Sequence, residues 1–313
     1  MDKLYDVAIL GGGPAGLAAG LYAGRAGLRA LILDKGQPGG QILLTETLDN
    51  YPGGLTGGET GPTLAARMRA QAEAFGAQFA TDAIKSVELA GEVKVFKSRR
   101  NEFRAKTAIL ATGASPKPIG CENETDYIGA GISYCATCDA PFFKDKRVFV
   151  VGGGDAAVEE AIYLTRFAKS VTVIHRRDAL RAAKALQEKA FAQPKLSFLW
   201  DSVVERVGGD GMLTELSVKN VKTGEVTLIK ADAGEDVLGV FGFIGSNPNT
   251  ALFEGQLELQ NGYLVTDGET RTALPGVFAA GDVRVKALRQ VITAAADGAI
   301  AATLAGRYIE GNG

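Results

Sequence analysis

Two glycine-rich turns, Gly11-Gly12-Gly13-Pro14-Ala15-Gly16 and Gly152-Gly153-Gly154-Asp155-Ala156-Ala157, constrain this chain more than any other feature. Each follows an apolar run that reads as a buried strand, Tyr5 to Leu10 and Arg147 to Val151, and each opens a helix-compatible stretch. Strand, glycine turn and helix in that order can bind a dinucleotide. The first glycine makes the turn, the second lets backbone approach a pyrophosphate, the third position lets helix and strand nearly touch, and the helix N–H groups face the anion. One such loop alone is equally an ordinary tight turn. Two copies with matched surroundings point to an α/β fold built from two Rossmann-like, three-layer βαβ domains.

The strand ends separate the two sites. The stretch Leu28 to Leu33 ends at Asp34, an acid placed to accept hydrogen bonds from an adenosine ribose, so a dinucleotide without a 2′-phosphate is expected there. The stretch Ser170 to Ile174 ends at His175-Arg176-Arg177, and His175 stands as far beyond Gly152 as Asp34 does beyond Gly11. Cations at that position suit a 2′-phosphate, so His175, Arg176, Arg177 and Arg181 argue for NADPH and leave the first site for FAD. The bland alternative for the arginines is a solvated, salt-bridged helix start. Val158 to Ala168 reads as the helix of the second unit. Near the carboxyl end, Gly276 to Ala280 reads as a strand running into Gly281-Asp282, followed by Arg289-Gln290 and an Ala-rich helix. Asp282 can accept ribityl hydroxyls, and a helix starting near Gln290 would aim its positive end at the electron-rich edge of a reduced flavin; the alternative is a surface helix capped by Asp282. Because this distant tail completes the first unit, the second is predicted to be inserted through hinges at 113–118 and 242–248.

A length of 313 residues favours two domains, and 46% hydrophobic with 22% charged residues is the composition of a soluble protein with a substantial core. A formal charge of -2 with no dense Lys/Arg tract predicts no nucleic-acid partner. The stretch from Val7 to Leu33 is broken by glycines, Pro14, Arg25 and Arg29, so no membrane span is expected, and Met1-Asp2-Lys3 runs straight into a strand pattern, so a cytoplasmic location is. In a reducing compartment, Cys135-Ala136-Thr137-Cys138-Asp139 invites a redox or metal explanation. A structural zinc site needs about four ligands, and beyond this pair the chain has one further cysteine, Cys121, and one histidine, His175, which the nucleotide pocket claims. An inert disulfide is the other alternative. With His175 placed elsewhere, Asp139 is the local candidate for the acid that protonates a leaving thiolate, set against a cap or turn acid. Cys121 is read as a small, partly buried residue.

Taken together, the amino-terminal glycine loop, Gly39-Gly40-Gln41, Ala111-Thr112-Gly113, Cys135 to Asp139, Gly152 to Ala157, His175-Arg176-Arg177 and Gly281-Asp282 with Arg289-Gln290 resemble the bacterial low-molecular-weight thioredoxin reductases, a family of flavin-dependent pyridine nucleotide disulfide oxidoreductases. The resemblance spans essentially the whole chain. It implies an FAD domain from residues 1–115 and 245–313, an NADPH domain at 116–244 carrying the redox pair, and a homodimer. It implies FAD contacts at Gly11, Gly13, Pro14, Ala15, Gly16, Asp34, Lys35, Gly40, Gln41, Asn50, Ala111, Thr112, Gly113, Gly281, Asp282, Arg289, Gln290 and Val291. For NADPH it implies Gly152, Gly154, Asp155, Ala156, Ala157, His175, Arg176, Arg177 and Arg181. Cys138 would face the flavin, and Cys135 would attack the disulfide of a thioredoxin or thioredoxin-like protein after the NADPH domain rotates. Relatives with a ferredoxin or another flavoprotein as donor lack the cationic motif that this chain keeps; a thioredoxin-independent NADPH flavin reductase and a nucleotide-binding redox sensor are the remaining readings. Departures from the pattern are Asp34 for Glu, Ala156 for Ser, Ala140-Pro141 after the redox motif, and Cys121.

Overall fold

The structure is a computed structural model that describes residues 4–45, 48, 50–55 and 59–311; the leader reading at Met1, Asp2 and Lys3 lies outside the described residues. The chain forms two compact units, Met1–Ser115 with Asn247–Gly313, and Pro116–Ser246.

In the first unit, β1 (Leu4–Leu10) leads through the glycine turn into α1 (Pro14–Arg25) and β2 (Ala30–Asp34). After α2 (Gly61–Ala74) come β3 (Gln78–Thr81), β4 (Ser86–Glu88), β5 (Lys94–Lys97) and β6 (Glu102–Leu110), and β7 (Ala114–Pro116) lies where the chain leaves the unit. Strands β3, β2, β1 and β6 are parallel neighbours. Along β1 the side chains alternate between two cores: Val7 and Ile9 pack with the helices, Ala8 and Leu10 on the opposite face. A strand covered on both faces reads as an apolar run, as Val7 to Leu10 does, while Asp6 nearer the start of β1 pairs with Arg29 and Lys106.

The second unit opens with β8 (Ile132–Ser133), the one-turn α3 (Ala136–Asp139), β9 (Arg147–Val151), α4 (Asp155–Leu164), β10 (Ser170–Ile174), α5 (Lys184–Phe191) and β11 (Leu196–Leu199). An antiparallel meander follows, β12 (Ser202–Gly208), β13 (Glu215–Asn220) and β14 (Val226–Lys230), before β15 (Gly239–Gly242) rejoins the main sheet. That sheet has the order β11-β10-β9-β15-β8 with every pair parallel. Helix α4 occupies a register earlier than the expected Val158 to Ala168: the extended Gly154 is already its N-cap, and Thr165 ends it by donating its hydroxyl to the Ile162 carbonyl at 2.6 Å.

Returning to the first unit, the chain forms β16 (Ser246–Pro248), the hairpin β17 (Leu259–Gln260) and β18 (Tyr263–Leu264), β19 (Val277–Ala279) and α6 (Val291–Ile309). Strand β6 is long enough to serve two partners along one edge, β5 with its first half and β19 with its last three residues. Helices α1 and α6 meet through alanines and glycines; a Cβ on Gly298 would run into the Ala15 carbonyl oxygen. Each unit also ties its own two chain ends together. In the first, the Asn249 amide donates to the Thr112 carbonyl at 2.9 Å and the Thr112 hydroxyl to the Asn249 carbonyl at 2.7 Å. In the second, Lys117 N–H donates to the Gly245 carbonyl at 2.9 Å. Among the described residues no helix is long and apolar enough to cross a membrane.

Candidate redox and dinucleotide sites

In the first unit β1, β2, β6 and β19 end on one edge of the sheet, where parallel α/β folds bind ligands. Gly11 follows β1 at φ 111°, and a Cβ on it would strike the Ala111 carbonyl, while one on Gly16 would strike the Gly11 carbonyl. Gly13, by contrast, has open space: the nearest atom to its Cβ position is Gly40 Cα at 3.9 Å, so two bare backbones face each other. Asp34 is held beneath the loop, accepting from Gly12 N–H at 2.6 Å and Gly36 N–H at 3.0 Å. Pro14 sits in the first turn of α1, Ala15 is buried, and Lys35 and Gln41 are exposed beside the loop. Ala111 is buried at the end of β6, with Thr112 and Gly113 half-buried after it.

The returning segment adds the other wall. Gln290 is the N-cap of α6, ahead of the half-buried Val291, and its carbonyl oxygen Oε1 accepts from the Asn50 amide at 3.1 Å, which brings two distant candidates together. Asp282 Oδ1 is buried without a hydrogen-bond partner. Burial pushes the Asp282 carboxyl above its ordinary value, Asp297 adds to the rise, and Lys286 and Arg289 oppose it. Arg289 Nε is likewise buried and unpartnered, with its guanidinium 4.1 Å from the centre of the Tyr263 ring. Open backbone at two glycines, a fixed acid at a strand end and orphaned buried donor and acceptor atoms are what a flavin dinucleotide would satisfy. The residues present fit FAD.

The second unit repeats the loop. Gly152 follows β9 at φ 151°, its Cβ position filled by the Phe243 carbonyl and the Ala157 methyl, while nothing approaches Gly154. Asp155 Oδ1 accepts from Ala183 N–H at 2.7 Å, and Arg181 N–H donates to the Gly153 carbonyl at 2.7 Å, so the segment after β10 folds back over the turn. Arg176, Arg177, Arg181 and Ala156 are exposed. His175 differs from its expected part in a cationic cluster. The residue is 4% exposed, its ring packed directly under Gly153 and nearly perpendicular to that of Trp200, and its Nε2 has no partner. Burial lowers its pKa, Arg181, Arg177 and Arg176 lower it further, and a backbone hydrogen bond at Ala179 opposes them, so the imidazole is neutral at pH 7. The positive charge belongs to the three arginines. The strand offset marks where β10 ends but not which way its last side chain points.

Cys135 and Cys138 form a disulfide with Cα atoms 5.3 Å apart, across the single turn of α3 that follows edge strand β8. Neither sulfur is a free thiolate for zinc. Both cysteines are half-buried, and the buried Ala136, Ala140 and Phe143 anchor the turn in the core. Ser133, which sequence reasoning passed over, organises the pair: its hydroxyl accepts from Cys135 N–H at 3.1 Å and donates to Asp139 Oδ2 at 2.5 Å. Asp139 makes no cap hydrogen bond with the following 3-10 turn. Because β8, β9 and β10 run parallel, the disulfide, the glycine turn and the arginines all lie beyond the same edge of this sheet. Cys121 is half-buried, and burial, reinforced by Glu124, pushes its thiol up to about 11, the state of an inert residue.

The family model for pyridine nucleotide-disulphide oxidoreductases matches residues 5–298. The chain belongs to that family. A thioredoxin reductase of Peptoclostridium acidaminophilum is 52% identical, the match covering 100% of this chain and 99% of that one. One of Streptomyces coelicolor is 49% identical over 96% of this chain and 93% of the relative. The solved structure of thioredoxin reductase from Streptococcus pyogenes superposes with a TM-score of 0.91 at 44% identity, covering 99% of this chain and 100% of the other. Membership agrees with the two Rossmann-like units and with the disulfide.

Proposed function

We propose that this chain is a thioredoxin reductase, taking electrons from NADPH through FAD to the Cys135–Cys138 disulfide and on to thioredoxin or a thioredoxin-like protein. The observation that carries the reading is that disulfide, set at the ligand-binding edge of an inserted dinucleotide unit, in a chain about half identical along its length to curated thioredoxin reductases. FAD is assigned to the first unit and NADPH to the second, on the contrast between Asp34 and the Arg176, Arg177 and Arg181 group. A cytoplasmic homodimer is proposed with it, on the same kinship.

In the first unit, the amino end of α1 directs N–H groups at a pyrophosphate, Asp34 accepts from the adenosine ribose, and Asp282 accepts from ribityl hydroxyls. Arg176, Arg177 and Arg181 hold the 2′-phosphate that separates NADPH from NADH, and the neutral His175 supports the glycine turn from below. When bound, FAD would supply the two-electron carrier between nicotinamide and disulfide. Cys138 receives the electron pair as the S–S bond breaks, leaving Cys135 as the attacking thiolate. Cys135 Sγ bonds to one sulfur of oxidised thioredoxin and displaces the other as a thiolate; Cys138 Sγ then attacks Cys135 Sγ, restoring the internal disulfide and releasing reduced thioredoxin. Asp139, oriented by Ser133, delivers the proton to a departing thiolate. For nicotinamide and disulfide to be served in turn, the second unit would have to rotate about the two connecting strands, β7 and β16, which pair with each other between the clamps at Thr112–Asn249 and Lys117–Gly245.

The test is NADPH oxidation by the FAD-loaded protein with oxidised thioredoxin, run beside NADH and a Cys138→Ser variant, on a preparation whose sedimentation is also measured. Turnover that prefers NADPH, requires Cys138 and comes from a species of twice the chain mass is expected. Equal rates with NADH, or full turnover without Cys138, would overturn it.

A further inference from the structure

Four charged side chains meet where β19 runs toward α6, and their pairing is lopsided. Asp297, on the buried face of α6, accepts from Arg284 Nη1 at 3.1 Å, from Lys286 Nζ at 2.8 Å and from Gly281 N–H at 3.0 Å. Both cations are buried beside it, with side chains 11% and 8% exposed. Asp282, the residue after Gly281, has none of this: its Oδ1 is buried and unpartnered, although Lys286 lies near enough to act on its charge. Two cations thus serve one carboxylate while its neighbour stands open, the reverse of an even sharing that would leave no buried acceptor orphaned.

We infer that Asp297 is a positioning residue that holds Lys286 away from Asp282, and so keeps the Asp282 carboxylate free to accept the ribityl hydroxyls of FAD. The inference rests on the flavin reading of the first unit. Lys286 is the cation that matters. Arg284 is anchored independently, donating also to the Thr266 hydroxyl at 2.8 Å and the Asp267 carbonyl at 3.1 Å, so it stays in place without Asp297. Lys286 has a long flexible stem and donates to Asp297; released, it would turn to the next carboxylate, Asp282, and close the acceptor against the ligand. Asp297 also fixes the approach to that acid, since Gly281 sits at φ 79° with its N–H on the Asp297 carboxylate.

The test is the dissociation constant of FAD, read by quenching of flavin fluorescence on titration into apoprotein, for the unaltered chain, Asp297→Asn, Lys286→Met and the double variant. Asp297→Asn is expected to weaken FAD binding by about 10-fold or more, the size of a lost hydrogen bond to a charged group. Lys286→Met alone is expected to leave affinity within about 3-fold, and adding it to Asp297→Asn to restore affinity to that range, because the competing cation is gone. A residue that merely braces the fold would behave oppositely: the second substitution would deepen the loss, and that result overturns the inference, as does Asp297→Asn binding FAD like the unaltered chain. If Asp297→Asn alone does not fold, the double variant decides, because it lacks the brace on either view and replaces a buried ion pair by neutral groups. Failure of the unaltered apoprotein to bind FAD would instead overturn the flavin reading itself, and this inference with it.

Discussion

Asp282 shows at the scale of one residue how a ligand site trades against stability. Its buried oxygen has no donor in the protein, and its folded pKa is raised, first by burial. A raised carboxyl pKa means that the folded state resists ionisation, so the penalty is absent below the unfolded pKa, where the group is protonated in both states, and is fully present above the folded one. Asp282→Asn is therefore expected to make the apoprotein more stable at pH 7 by about 1 kcal/mol while weakening FAD binding, with the difference vanishing as pH falls below about 4. Urea unfolding of the two apoproteins across pH checks this; a variant less stable at pH 7 would contradict it. Single residues also mark the limit of what the sequence made legible. The cysteine pair and both glycine turns could be read because few other residue types do their work. The burial of His175, the pairing of Ser133 with Asp139, and Asn249 at the chain crossing could not, because each depends on partners brought near only by folding.

At the scale of elements, α6 carries more than its Ala-rich sequence suggests. Its buried stripe of Ala294, Gly298, Ala301, Ala302 and Ala305 also holds Asp297, and an acid on such a stripe was the available signal of the ion cluster, since a buried charge needs partners. The stripe lets α6 lie against α1, whose amino end forms the first glycine turn, so packing and ligand geometry are linked. Gly298→Ala, which drives a methyl into the Ala15 carbonyl, is expected to destabilise the protein by about 2 kcal/mol. Gly306→Ala on the same helix meets only Leu28 Cδ1 at 3.6 Å and is expected to be neutral or stabilising by about 0.5–1 kcal/mol. Urea melts of the pair check the contrast; equal effects would show that the helices do not depend on that close approach. Helix α6 could be located from Gln290 onward, while the bounds of α4 could not, because the extended Gly154 already caps its start and Thr165 ends it through its own side chain.

For the whole molecule, duplication was the legible feature. Two strand–turn–helix units with different strand ends implied two sites of different charge, and the second lying inside the first followed from the carboxyl-terminal tail; the parallel pairing of β19 with β6 joins that tail to the first sheet. The central claim is that electrons from NADPH reach Cys135–Cys138 and leave through it. The most direct measurement is anaerobic: one equivalent of NADPH is added to FAD-loaded protein, cysteines are alkylated and located by mass, and the step is repeated after oxidised thioredoxin is supplied. Alkylation of both Cys135 and Cys138 after NADPH, and its loss after thioredoxin, is the expected result. NADPH consumed while the Cys135–Cys138 disulfide stays intact would contradict the account.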